Sequence, residues 1–259
     1  NMTHQPLNKM INEPDPSRLI HGLRDTGYDF YTAAADIIDN SVSADANIIN
    51  ILIEITSDGR KFVYFGDDGH GMDEDGLHNA MRYGAQIRED LASLGKFGLG
   101  LKTASSSVCL KYSLISRTNL SSPLYKLTWD LEHVSDVNNW EMVDEPVSVD
   151  EQEVFEELCG NSGTLVVWSR CDRLLSKVYE EPGGTKEQAA IRYISNKLIE
   201  HCALIFHKYL NPSETGYRTI KIIVNGIEVE YWNPFYPECS EQVLTVKHPK
   251  ALIWGQTLA

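Results

Sequence analysis

Residues 34–41 limit the architecture of this chain most strongly, because they combine a helical core pattern with two polar side chains on one face. Ile37 and Ile38 can face a core, whereas Asp36 and Asn40 stand one helical turn apart and project from the same side. A carboxylate can orient water or accept its proton, and an amide oxygen can ligate Mg²⁺. Such a pair is more often simply solvated, so its meaning depends on the motifs that follow it.

A glycine-bearing motif follows directly after a strand pattern at residues 61–65. Its two glycines, Gly69 and Gly71, stand at alternate positions and allow the backbone to approach a flat ligand closely. The carboxylate of Asp67 beside them can accept a hydrogen bond from an exocyclic amine such as that of adenine. On its own, the motif is more often a tight turn with a solvent-facing aspartate.

Gly95, Gly98 and Gly100 form a second glycine motif that leads into a predicted helix. Backbone N–H groups in such a loop can converge on anionic oxygens, and the helix N-terminus adds a favourable field. Lys96 and Lys102 bring positive charge into an otherwise acidic chain. The motif does not follow the first strand of a βαβ unit and lacks the Gly-Lys-Ser/Thr ending of a P-loop, which excludes both of those nucleotide sites. A glycine hinge is the simpler alternative.

The hydrophobic periodicity predicts alternating helices and strands around these motifs. Helices are predicted at 28–43 and 186–209, and strands at 47–55 and 107–116. A last hairpin, with strands at 218–224 and 227–232, is predicted to turn at Asn225-Gly226, which is a strong hairpin signal.

Composition restricts the classes of function. The 259 residues suffice for one large domain or two small ones, and the net charge of −14 argues against nucleic-acid binding by this segment alone, since phosphate contacts need Lys and Arg. The five cysteines are odd in number and widely scattered, which predicts free thiols in a reducing compartment. No run is long and apolar enough to span a membrane and no signal-peptide pattern occurs, so a cytoplasmic location is expected.

The order of the motifs resembles that of the GHKL ATPases, the superfamily of gyrase B, a class of heat-shock chaperones, the histidine kinases and MutL. That family has a carboxylate four residues before an Asn on a helix, then DxGxG, then GxxGxG, and then a Gly-Thr on a late strand. Gly163-Thr164 matches the last of these. The resemblance covers residues 14–232, and within the superfamily Asp39-Asn40-Ser41 and residues 96–103 look closest to MORC-like ATPases.

This resemblance implies a two-layer α/β sandwich, the Bergerat ATP-binding fold, with a mixed, mostly antiparallel sheet and helices on one face. The ATP-binding domain is expected at 14–232, with an ATP lid at 73–94. Residues 1–13 are expected to form a flexible N-terminal segment. Residues 233–259 are expected to begin a following region that is truncated.

The resemblance also implies roles for individual residues. Asp36 would be the general base, and Asn40 would ligate the Mg²⁺ that bridges the ATP phosphates. Asp67 would accept a hydrogen bond from the adenine amine, with Thr164 in support. The other predicted ATP contacts lie in the two glycine motifs: Gly69, Gly71, Met72, Gly95, Lys96, Phe97, Gly98, Leu99, Gly100 and Lys102.

The expected activity is Mg²⁺-dependent ATP binding with slow hydrolysis, in which lid closure drives homodimerisation of a larger protein. A protein or DNA client would be bound by regions outside this segment, without a membrane. Most hydrolysing members of the family carry Glu where this chain has Asp36, and Ser43 replaces a usual Asp. The shorter Asp36 side chain orients water less well, which predicts slow turnover.

Two alternatives remain open from the sequence. The first is a nucleotide-gated binding switch with negligible hydrolysis. The second is a protein kinase of the histidine-kinase type, which is disfavoured because no dimerisation helix with a phosphoacceptor histidine precedes the motifs.

Overall fold

The computed structural model describes residues 14–25, 27–83 and 100–232. In chain order its elements are α1 (Pro16–Arg24), α2 (Phe30–Ser43), β1 (Ile48–Ile55), β2 (Lys61–Asp67), α3 (Glu74–Met81), α4 (Gly100–Val108), β3 (Lys111–Arg117), β4 (Tyr125–Asp130), α5 (Leu131–Val137), α6 (Val149–Leu158), β5 (Gly163–Ser169), α7 (Thr185–Ile205), α8 (His207–Leu210), β6 (Lys221–Val224) and β7 (Ile227–Glu228).

The strands form one sheet in the order β4-β3-β5-β2-β1-β6-β7. Neighbouring strands run antiparallel except β1 and β6, which are parallel. This confirms the mixed, mostly antiparallel sheet. In the central strands, Asp67 of β2 and Ser116 of β3 both lie directly opposite Thr164 of β5. Directly opposed residues share a face of the sheet, so these three polar side chains point to the same side.

The main hydrophobic core lies on that same side of the sheet. Alternate residues of β1, including Ile49 and Ile51, are buried there against α2, which contributes Ile37 and Ile38. Trp168 of β5 also belongs to this core. Burial of each such aliphatic side chain stabilises the fold by about 1.5–3 kcal/mol. Every helix except α6 adds residues to this core, in agreement with the expected layer of helices on one face.

Helix α6 covers the opposite face of the sheet. Its Phe155 packs with Ile115, Leu165 and Val167, which are buried apolar residues of β3 and β5 that point away from the main core. A capping box between Ser148 and Glu151 starts this helix. The central strands are therefore buried on both faces.

Most of the predicted elements are confirmed, with shifted boundaries. The central helix begins at Phe30 rather than at residue 28, because Asp29 is the N-cap and accepts a hydrogen bond from the backbone N–H of Thr32 at 2.7 Å. The strand predicted at 107–116 begins only at Lys111, since the preceding residues continue α4 to Val108. In that helix the hydroxyl of Ser107 donates to a backbone carbonyl of the preceding turn, which satisfies this polar side chain without a strand.

Three further differences concern the second half of the chain. The helix predicted at 186–209 is broken at Phe206 into α7 and α8. The strands of the last hairpin are shorter than predicted, although the turn at Asn225-Gly226 is confirmed. Helix α5 was not predicted, and its N-cap Asp130 is the sequence signal that could have located it.

The described cysteines are buried free thiols, namely Cys109, Cys159, Cys171 and Cys202. In the described ranges, each helix is too short or too polar to cross a membrane.

Candidate functional site

Asp67 lies at the end of β2 with only 5% of its surface exposed. Its Oδ2 accepts a hydrogen bond from the hydroxyl of Ser41 on α2 at 2.9 Å. Its Oδ1 accepts from the backbone N–H groups of Gly69 at 3.0 Å and Thr164 at 3.3 Å. Burial raises the pKa of the Asp67 carboxyl above its usual value, and these hydrogen bonds act against that rise. A helix, a loop and a strand thus converge on one carboxylate.

Ser116 joins the same region from β3 and is fully buried. Its hydroxyl oxygen lies 2.7 Å from the carbonyl oxygen of Gly163, to which it donates, and 3.0 Å from Oγ1 of Thr164. It also accepts a hydrogen bond from the backbone N–H of Met72 at 2.8 Å. Ser116 therefore ties the first glycine motif to the start of β5.

The sequence analysis missed both serines of this network. Ser41 follows Asn40 directly, so its position on the predicted helix could have suggested a role. Ser116 is one of several polar residues in β3, and only the strand register shows that it lies opposite Thr164.

Two glycines of the site are required by the backbone itself. Gly71 has φ +64°, and a Cβ there would lie 2.0 Å from the carbonyl oxygen of Arg117. Gly163 has φ +136°, and a Cβ there would lie 1.8 Å from the carbonyl oxygen of Asp67. Both distances are far below van der Waals contact, so the loop and β5 can approach only through glycine. The contact of Gly71 with adenine remains a prediction.

Further hydrogen bonds fix the first glycine motif against the turn between α2 and β1. Oδ1 of Asp68 accepts from the backbone N–H groups of Asn47 at 2.6 Å and Ile48 at 2.8 Å. The backbone N–H of His70 donates to the carbonyl of Ala44 at 3.0 Å. These three hydrogen bonds anchor the loop to that turn.

Asp36 and Asn40 precede Ser41 on α2, and both are more exposed to solvent than Asp67. Asp36 is half-buried and Asn40 is exposed. Asp39 is also half-buried, and its burial together with the nearby charge of Asp36 raises the pKa of the Asp39 carboxyl. Burial and a hydrogen bond to Asp36 raise the pKa of Tyr28. Tyr28 lines a cavity of about 680 Å³ at the N-terminal end of α2.

Lys102 does not display its charge at the surface. It is only 2% exposed, and its Nζ donates to the carbonyl of Ala80 on α3 at 2.8 Å. Burial lowers the pKa of Lys102 to about 8. In the described structure this lysine connects α4 to α3, and its predicted contact with ATP remains a prediction.

The second glycine motif lies mostly outside the described residues. Gly100 is the first residue of α4 and is exposed. The predicted lid contains α3 within its described part, where Leu77 and Met81 are buried in the main core. The predicted contacts that lie outside the described residues are Gly95, Lys96, Phe97, Gly98 and Leu99.

Sequence relatives match short parts of the chain. Protein MICRORCHIDIA 3 of Arabidopsis thaliana is 35% identical over 77 residues, which cover 28% of this chain and 13% of that protein. ATPase MORC2B of Mus musculus is 31% identical over 91 residues, covering 34% of this chain and 9% of that protein. The chain thus spans only a small part of the length of these relatives.

Among solved structures, the N-terminal domain of a DNA repair protein matches with a TM-score of 0.45 and 20% identity, over 80% of this chain and 51% of that one. The sequence profile of the histidine kinase-, DNA gyrase B- and HSP90-like ATPases matches residues 28–164, more than half of the chain. This matched region includes α2, both glycine motifs and the Gly-Thr of β5. The chain therefore belongs to the histidine kinase-, DNA gyrase B- and HSP90-like ATPase family.

Proposed function

We propose that this domain binds ATP with its adenine at Asp67 and hydrolyses it slowly. The observation that carries the proposal is the buried carboxylate of Asp67 with its three hydrogen bonds. A carboxylate has about four acceptor positions. Two donors occupy Oδ1 and one occupies Oδ2, which leaves one position on Oδ2 for the amine of adenine.

Asn40 and Asp36 would serve the phosphate end of the nucleotide. Mg²⁺ in nucleotide sites is held by one or two protein oxygens together with phosphates and water. The exposed amide of Asn40, one turn from a carboxylate, fits that requirement. The bound ion would neutralise phosphate charge there.

The half-buried carboxylate of Asp36 would orient the attacking water and accept its proton. The hydrogen bond from Tyr28 holds this carboxylate from the N-terminal side of the helix. Because Asp is one methylene shorter than the Glu of most hydrolysing relatives, the water would be positioned less well and turnover would be slow.

ATP binding would be coupled to assembly. In the proposed cycle, the γ-phosphate orders the lid at 73–94, and the closed lid favours a homodimer of the larger protein. A protein or DNA client would bind outside this segment, whose net charge of −14 disfavours DNA contacts of its own. A nucleotide-gated switch with negligible hydrolysis is the second candidate, and the Asp at position 36 favours it.

The test is Mg²⁺-dependent phosphate release over a series of protein concentrations, with ATP affinity measured by calorimetry. Asp36→Asn should reduce turnover about a hundredfold while ATP affinity stays within about threefold, because it removes the base and keeps the shape. Asp67→Asn should lose ATP binding about a hundredfold. Asp136→Asn, on the exposed side of α5, is the control and should change neither quantity.

The outcomes separate the candidates. Turnover that rises faster than protein concentration supports an ATPase that works as a dimer. Binding that depends on Asp67, with no turnover at any concentration, supports the switch. ATP binding that survives Asp67→Asn would contradict the proposed position of the adenine.

A further inference from the structure

Resting on the proposed adenine site, we propose that Ser116 determines base specificity by fixing the direction of the Thr164 hydroxyl. The two residues lie opposite each other on β3 and β5, with their hydroxyl oxygens 3.0 Å apart. Neither the family motifs nor the sequence analysis assigns a role to Ser116. Its effect follows from counting hydrogen-bond donors and acceptors.

The hydroxyl of Ser116 has one proton and two lone pairs. The carbonyl oxygen of Gly163, at 2.7 Å, can only accept, so it receives the Ser116 proton. The backbone N–H of Met72, at 2.8 Å, can only donate, so it occupies one lone pair. The other lone pair remains for Thr164, whose hydroxyl must therefore donate to Ser116.

This arrangement leaves Thr164 as a pure acceptor toward any other partner. Its single hydroxyl proton is committed to Ser116, and only lone pairs on Oγ1 remain. Asp67, directly opposite Thr164 on β2, also only accepts when it is ionised. Both side chains lie on the face of the sheet that Ser41 of α2 reaches. Asp67 and Thr164 therefore present hydrogen-bond acceptors, and no side-chain donor, at the base end of the site.

An acceptor-only pair discriminates between purines at position 6. The amine of adenine donates and matches Asp67 and Thr164. The carbonyl oxygen of hypoxanthine or guanine accepts and would face lone pairs without a proton between them. A site of this kind rejects the mismatched base because buried polar groups are left unpaired.

Strand β3 supplies a matched control. Ser113 is also buried, and its hydroxyl lies 2.8 Å from Oγ1 of Thr128 on β4. It points to the opposite face of the sheet, because it is three residues from Ser116. Ser113→Ala removes the same atom from the same strand without touching Thr164.

The experiment measures the dissociation constants of ATP and inosine triphosphate for the whole chain. These two nucleotides differ at position 6 of the base and in the protonation of the neighbouring N1. The parent chain should prefer ATP. In Ser116→Ala the Thr164 hydroxyl is free to donate, so the preference should fall about tenfold, with tighter binding of inosine triphosphate. Ser113→Ala should keep the parental ratio.

The possible failures are distinguishable. A parent chain that does not bind ATP overturns the proposed function and this inference with it. A folded Ser116→Ala with an unchanged ratio overturns the inference alone. A parent chain that binds both nucleotides equally overturns the placement of the adenine amine at Asp67 and this inference with it. If thermal melts show that Ser116→Ala does not fold, Thr164→Val decides instead: it removes the acceptor and should also lower the ratio, and an unchanged ratio contradicts the proposal.

Discussion

The two ends of the proposed site are built in different ways. At the base end, Asp67 accepts three hydrogen bonds and the hydroxyl of Ser116 has every donor and acceptor position engaged. At the phosphate end, burial and the nearby charge of Asp36 raise the pKa of Asp39, and Lys102 is buried with one carbonyl as its acceptor. The polar groups at the proposed base end are thus paired within the folded chain, whereas the proposed phosphate end holds charges that the described residues balance only in part.

This difference indicates which end of the proposed site is ordered before a ligand binds. A site with satisfied hydrogen bonds binds without reorganisation, because its polar groups already point in the required directions. Charged groups without a balancing partner instead change their pKa values when a charged ligand binds beside them. Three sets of substitutions test this contrast.

The largest difference in stability is expected between alanine substitutions in the two glycine motifs, at Gly71 and at Gly100. Gly71→Ala should destabilise the protein by about 3 kcal/mol or more, because its Cβ would meet the carbonyl oxygen of Arg117 at a positive φ. Gly100→Ala meets no atom within 4 Å and should change the free energy of unfolding by less than about 0.5 kcal/mol. Urea unfolding of both variants measures this, and equal losses would show that the two motifs are equally constrained.

A smaller effect, of opposite sign, is expected from Lys102→Met. The free energy of unfolding at pH 7 should rise by about 2 kcal/mol, since a buried ammonium is removed and only one hydrogen bond is lost. The pKa of Lys102 is about 8 in the folded chain, below its ordinary 10.5. Between these values the unfolded chain binds more protons, so the stability of the parent protein should rise with pH.

Unfolding curves from pH 7 to pH 10 test this prediction. The stability of Lys102→Met should lack the rise seen in the parent protein. Lys186→Met, at an exposed position of α7, is the control and should retain the parental slope. A loss of stability in Lys102→Met at pH 7 would show that the bond to Ala80 outweighs the cost of burial.

The smallest effect is expected from Asp39→Asn. It should stabilise the protein by about 0.5 kcal/mol at pH 7, because it removes one of two like charges on a half-exposed helix face. The pKa of Asp39 is raised in the folded chain, so its carboxylate costs stability above that pKa, and the difference should vanish as pH falls below the ordinary 3.8. Thermal melts measure this difference. Asp150→Asn, in the favourable first turn of α6, should instead lower stability in them.

Local patterns predicted the backbone of the site better than its contacts. Hydrophobic periodicity located α2, and the strand before Asp67 was evident from its composition, because both depend on neighbours in sequence. The bonds of Ser41 and Ser116 join residues 26 and 48 positions apart, and they depend on the packing of α2 against the sheet and on strand register, respectively. Burial of Lys102 was equally hidden, since its acceptor lies on a helix 22 positions earlier.

The strand register of β2, β5 and β3 limits where a residue can be inserted into this domain. Asp67, Thr164 and Ser116 meet because they lie in one row across three strands, while Leu165 beside them points into the other core. One residue inserted early in β5 would exchange the faces of Thr164 and Leu165. It would bury a hydroxyl among apolar side chains and at the same time remove an acceptor from the proposed base site. Recognition of the base at the proposed site therefore depends on correct pairing of these three strands.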